Sequence, residues 1–129
     1  LRLGAKSAVG VDIDPKAEDI ARENAAYNNF SSDVFTALTG NVLSDKKLMD
    51  RLCAEPYDIV LVNIVADVII GLSPVLPNFI QESSTLILSG ILDVRLEDVV
   101  AALKRAGLTI INIRAMEDWR CITAKRSVL

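Results

Sequence analysis

The sequence predicts an α/β fold whose mostly parallel sheet finishes in an antiparallel hairpin. Short aliphatic, β-branched runs alternate with stretches of helical apolar spacing, the pattern of strand–helix–strand units. The run Ile59-Val60-Leu61-Val62 is uninterrupted, as expected of a strand buried on both faces of a parallel sheet. Thr109–Met116 and Trp119–Lys125 are separated only by Glu117-Asp118, a link too short for a parallel crossover and right for a hairpin.

Taken in order, Leu1–Lys6 reads as the tail of a helix, with Gly4 just past its end. A first strand covers Ser7–Ile13. Asp14 then caps a helix whose first position is Pro15, where no amide donor is needed. Ala17, Ile20, Ala21 and Ala25 form its narrow apolar stripe, and Asn28-Asn29 closes it. Val34–Thr39 is the next strand, and Ser44–Cys53 a short helix with Leu48, Met49 and Leu52 inward. Glu55-Pro56 stops that helix, because a residue before proline avoids the helical region. Tyr57–Val65 is the strongest strand. From Asp67 to Ile80 two short helices are expected, the second starting at Pro74. Thr85–Ile91 is a buried strand ending at Ser89-Gly90. Val94–Ala106 is a helix with Leu96, Val99, Val100 and Leu103 on one face and Gly107 as its stop.

The totals narrow the function classes. The 129 residues fit one domain, and 51% hydrophobic content suits a sheet covered on both faces. A net charge of −3 argues against direct nucleic-acid binding. No segment has the length and apolarity of a membrane span, and the first residues lack the apolar stretch of a signal peptide. Histidine is absent, which removes Ser-His and Cys-His nucleophiles and zinc sites of the Cys/His type. Cys53 and Cys121 read as isolated buried thiols in a reducing, cytoplasmic setting.

Three strand ends carry polar residues. In open α/β sheets ligands lie beyond the carboxyl ends of the strands, where an acid accepts hydrogen bonds from ribose hydroxyls. Asp12, at the end of Ala8-Val9-Gly10-Val11, has that place; the alternative is an acid that decorates a strand end. Ile13 beside it suits an adenine face, or equally a core position. Asn41, within Gly40-Asn41-Val42, can read an exocyclic amine with its amide, or can simply be a turn residue. Asn63 interrupts the apolar run Ile59–Val65, where a polar side chain is costly without partners. Its oxygen can orient an incoming amine, or can bond a neighbouring loop. Trp119, Ser89 and Gly90 could border the same crevice, although packing explains each as well.

Gly10-Val11-Asp12-Ile13-Asp14-Pro15, Val62-Asn63-Ile64-Val65-Ala66, Leu88-Ser89-Gly90-Ile91 and Glu117-Asp118-Trp119 occur in the order and context of one family. Over essentially the whole chain the sequence resembles the ribosomal protein methyltransferases of the PrmA type, which modify large-subunit protein eleven. The resemblance implies a Rossmann-like class I methyltransferase sheet and S-adenosylmethionine as cofactor. It further implies cofactor contacts from Asp12, Ile13, Asn41, Val42 and Asn63, with Asn63 nearest the chemistry, and a ribosomal large-subunit protein as substrate. The family's first strand, its glycine-rich loop and a separate substrate-recognition domain have no counterpart in these residues. The chain is therefore expected to be a catalytic-domain fragment. Without that central strand, the strands ending at Asp12 and Asn63 keep a row of unpaired backbone groups. Two other readings stand beside it: a nicotinamide-dependent oxidoreductase, against which the terminal hairpin counts, and a non-catalytic α/β binding module.

Overall fold

The computed structural model describes residues 1–127, and the chain divides into two compact units, Leu1–Met49 and the stretch from Asp50 onward. In the first unit, the residues ahead of Gly4 make one turn rather than a helical tail. The Gly4 N–H bonds the Leu1 carbonyl at 2.9 Å, an i→i−3 contact, with Gly4 at φ 99°. Strand β1 (Ala8–Asp12), helix α1 (Pro15–Tyr27) and strand β2 (Phe35–Thr39) follow. The two strands are parallel, in register from Ala8↔Phe35 to Asp12↔Thr39.

Helix α1 starts and stops where its sequence dictates. Asp14 Oδ1 accepts the Lys16 N–H at 2.9 Å, Pro15 occupies the first turn, and Asn28 caps the other end. Asn29 then takes φ 61°, a left-handed conformation that asparagine tolerates better than most residues. Ala17, Ala21 and Ala25 are half-buried, but Ile20, expected in the same stripe, is exposed. Two strands about 5 Å apart are narrower than a helix about 10 Å across, so only its alanine side is covered. Helix α2 (Lys46–Leu52) begins under an Asp45 cap, whose Oδ1 accepts the Leu48 N–H at 3.0 Å. Leu48 and Leu52 are buried, as the spacing predicts.

The second unit is a four-stranded sheet in the order β3-β4-β6-β5, from β3 (Tyr57–Asn63), β4 (Ile80–Leu92), β5 (Leu108–Met116) and β6 (Trp119–Arg126). β3 and β4 are parallel; β6 runs antiparallel to both β4 and β5, which gives the expected terminal hairpin. Helices α3 (Ala66–Leu72) and α4 (Leu96–Arg105) connect the strands. Among the described residues no helix is long and apolar enough to cross a membrane.

Several boundaries differ from the sequence reading, beginning with β3, which stops at Asn63 rather than Val65. The second helix expected from Pro74 is a single 3-10 turn, Leu76–Phe79, because β4 already takes Ile80 and leaves too few residues for an α-helix. A 3-10 turn, Asp93–Arg95, precedes α4, which starts at Leu96 instead of Val94. β4 starts five residues earlier than Thr85. Between the pairs Tyr57↔Ile80 and Ile59↔Thr85, four β4 residues stand opposite Asp58 alone. Ser84 makes this irregularity possible. Wholly buried, its Oγ donates to the Tyr57 carbonyl at 2.7 Å and accepts the Gln81 N–H at 3.0 Å.

One face of this sheet carries the core. Leu86, Leu88, Ile122 and Ala124 have no exposed surface, nor do Val99 and Leu103 of α4. Each such large aliphatic side chain contributes about 1.5–3 kcal/mol by leaving water. The other face is open: Ile59 is 60% and Leu61 72% exposed. This corrects the expectation of a strand buried on both sides, since α3 and α4 cover only the face that Val60 and Val62 share. β1 has β2 as its one ladder partner and β3 has β4, so each keeps a row of backbone groups outside any ladder, as predicted. Replacing Ser84 by Ala leaves the Gln81 N–H and the Tyr57 carbonyl without their buried partner. Urea unfolding should register a loss of about 1–3 kcal/mol, with the slope of the transition unchanged.

Candidate active site

The first unit presents two candidate residues at the carboxyl ends of its paired strands. Asp12 is exposed, and its Oδ1 accepts the N–H of Asp14 at 2.9 Å. That bond fixes the direction of the carboxylate, while Oδ2 makes no protein hydrogen bond among the described residues and remains an acceptor for a ligand. The Asp12 carbonyl receives the Gly40 N–H at 2.9 Å, which holds the end of β2 beside it. Thr39 donates its hydroxyl to Glu18 of α1, and Glu18 also pairs with Arg22, so helix and strand end are tied together.

Asn41 follows at once. Its Oδ1 accepts the Leu43 N–H at 2.9 Å and its carbonyl the N–H groups of Ser44 and Asp45. The turn reading of Asn41 is thus realised, and its amide nitrogen makes no hydrogen bond among the described residues. A Cβ at Gly40 would meet Leu48 Cδ2 at 2.6 Å, so a side chain here would have to displace the end of that leucine. Val42 is half-buried beside Asn41, and Ile13 next to Asp12 is exposed with no core role. The unit also has a shallow cavity of about 320 Å³, lined by Arg22, Ala25, Phe30, Phe35 and Ala37. It lies toward the amino end of β2, holds none of the candidate residues, and has no part in the chemistry read from the sequence.

In the second unit Asn63 ends β3 with its side chain exposed, in register with Ser89 of β4. Its amide makes no hydrogen bond to the described residues, so a bond to a neighbouring loop does not account for it. Ile64 and Val65 follow as an exposed apolar rim. The Ile64 N–H bonds the Ser89 carbonyl at 3.3 Å, joining this rim to β4. Two arginines that the sequence reading passed over brace the surroundings. Arg95 reaches Asp67, in the first turn of α3, at 2.6 Å and Asp98 at 3.1 Å. Arg120 pairs with Asp93 at 2.8 Å and donates to the carbonyls of Glu117 and Trp119. The Asp93 N–H closes the bracket on the Asp118 carbonyl at 2.8 Å, fastening the hairpin tip to the end of β4. Trp119 stands across from Leu92 and Met116, and all three are exposed.

The cysteines correct a smaller expectation. Both are free thiols, but half-buried rather than buried. Burial, reinforced by Asp50, pushes the Cys53 thiol up, so little of it is thiolate at neutral pH.

Each unit thus presents exposed polar side chains at or just beyond the carboxyl ends of its parallel strands. The family model for ribosomal protein L11 methyltransferase (PrmA) matches residues 1–127. The chain belongs to the ribosomal protein L11 methyltransferase family. A protein of that name from Agathobacter rectalis is 39% identical over 126 residues, covering 98% of this chain and 39% of its own length. One from Lachnoclostridium phytofermentans is 39% identical over 138 residues, covering 97% and 41%. The crystal structure of the ribosomal protein L11 methylase from Lactobacillus delbrueckii subsp. bulgaricus superposes with a TM-score of 0.85. It is 26% identical, with 98% of this chain and 61% of that one covered. The chain therefore spans about two-fifths of the curated L11 methyltransferases it matches.

The hydrogen bond from Arg95, helped by its charge, holds the Asp67 carboxyl below the usual carboxylate range. A carboxyl whose folded pKa is lowered stabilises the fold above its unfolded pKa, and that contribution goes as pH falls through the folded value. The stability gap between the wild type and Asp67→Asn should therefore be constant from neutral pH down to about 4, the ordinary aspartate range. Denaturant titrations at lower pH should show it closing.

Proposed function

We propose that this protein transfers methyl groups from S-adenosylmethionine to amino groups, lysine side chain or N-terminal amine, of the ribosomal large-subunit protein L11. The observation that carries the reading is Asn63, an amide exposed at a strand end and without a hydrogen-bond partner among the described residues, in a chain of the L11 methyltransferase family. Neither nucleic acid nor a membrane is part of the proposed reaction, and its setting is the cytoplasm.

The residues fit the cofactor by their donor and acceptor sets. Asp12 holds the ribose hydroxyls through its unused oxygen, its other oxygen being anchored on the Asp14 N–H. Asn41 offers its amide and Val42 its half-buried side chain to the adenine, with Ile13 against the ring face. S-adenosylmethionine, when bound, supplies an electrophilic methyl on a sulfonium whose leaving group departs neutral. What is left for the protein is a deprotonated amine and an in-line approach, so positioning supplies much of the rate. The Asn63 oxygen would accept an N–H of the amine and so orient the nitrogen's own lone pair for attack. With no histidine in the chain, the amine loses its proton to solvent before attack, helped by the apolar rim of Ile64 and Val65, which disfavours its charged form.

In the intact protein, Asn63→Ala should cut turnover far more than cofactor affinity; equal losses in both would contradict the positioning role. Asp12→Ala should show the reverse, weakening S-adenosylhomocysteine in calorimetry by about ten- to a hundred-fold, the worth of a charge-assisted hydrogen bond. NAD should not bind, and tighter binding of NAD than of S-adenosylhomocysteine would favour the oxidoreductase reading instead.

A further inference from the structure

The end of β4 contains a defect that bears on Asn63. β4 pairs with β6 as Leu88↔Ile122 and then as Ile91↔Arg120, so Ser89 and Gly90 together stand opposite Cys121. This is a β-bulge, and its second residue, Gly90, has φ +79°. A Cβ at Gly90 would lie 2.8 Å from the Ile64 carbonyl oxygen, 3.1 Å from the Ile64 nitrogen and 3.1 Å from Asn63 Oδ1. Two distinct facts thus require glycine here. The left-handed backbone disfavours any side chain, and the space a side chain would fill is already taken by the Asn63 amide and the peptide that follows it.

From this geometry we infer that Gly90 is a positioning residue for the methyl transfer: the bulge sets the direction of the Asn63 side chain, and the missing Cβ leaves its amide room to face the amine. The inference rests on the role proposed for Asn63 and adds to it the element that aims that side chain. Strand β3 ends at Asn63, so no further ladder pair fixes the residues after it. What holds them is the Ile64 N–H on the Ser89 carbonyl and the close approach of Gly90. The bulge brings Gly90 against the Asn63 amide and the Ile64 peptide while returning Ile91 to the fully buried face. The core therefore holds the bulge in place, and the bulge holds Asn63.

The test is a double-mutant cycle in the intact protein, with Gly90→Ala, Asn63→Ala and the pair, each checked for folding by thermal unfolding. Gly90→Ala should lower kcat by about ten-fold or more, the scale of a displacement of under an ångström, with KM for S-adenosylmethionine within about two-fold. In the Asn63→Ala background the same change should cost less than about two-fold in kcat, since there is no amide left to misdirect. Gly90→Asn separates the two requirements, because asparagine tolerates a left-handed backbone yet carries a Cβ. It should fall like the alanine variant, and it carries the comparison if Gly90→Ala does not fold. Wild-type kcat in Gly90→Asn, or losses that simply multiply in the double variant, would overturn the inference while leaving the role of Asn63 intact. An Asn63→Ala protein with full turnover would remove that role itself and the inference with it.

Discussion

The register of β4 is the constraint on which the second unit depends. This strand is parallel to β3 on one side and antiparallel to β6 on the other, and its side chains on one face have no contact with water. A slip of one residue would turn Leu86 and Leu88 out to solvent and bring Thr85 and Ile87 into the core. That penalty fixes Asn63 opposite Ser89 and places the bulge one residue later. Irregularities at the two ends of β4 do different work. At the start, the buried Ser84 hydroxyl reconciles a long strand with a short one; at the finish, Gly90 gives up a side chain to make room for another.

Much of this was legible in the sequence because local chemistry and tertiary structure agree. Asp14-Pro15 opens α1, Asn28-Asn29 ends it, Gly107 stops α4, and a two-residue link forces the last two strands antiparallel. The strand-end positions of Asp12, Asn41 and Asn63 follow from the same alternation. Less legible were features set by what lies across the sheet. The early start of β4 requires Ser84 to find Tyr57, 27 residues away, and no local pattern announces such a pairing. Ile20, Ile59 and Leu61 look like core residues in any window of sequence, yet burial depends on a neighbour being there to cover them. Arg95 and Arg120 were invisible for a related reason: a surface arginine and a bracing one are the same letter until the partner carboxylates are placed.

The candidate residues share a manner of construction. Asp12 and Asn41 each use one side-chain oxygen to fold their own turn, and each has another polar atom with no hydrogen bond among the described residues. The bond to the backbone sets the direction of the group before any ligand arrives, so less conformational entropy is lost on binding. Asn63 is different. It makes no such bond to the described residues, and its amide occupies space that the missing Cβ at Gly90 leaves open. In the proposed reaction, an amide without such a bond keeps its full donor and acceptor capacity for the substrate. That suits a reaction in which positioning is most of what the protein supplies.

The uncovered side of β3 has a consequence for handling these 129 residues. Ile59 and Leu61 lie in water next to a strand edge whose amides and carbonyls are free to pair with another chain, a combination associated with cross-strand association between copies. The net charge of −3 opposes such association through a repulsion that salt screens. Concentrated solutions of this polypeptide therefore have colloidal stability set by β3 rather than by the well-packed core behind it.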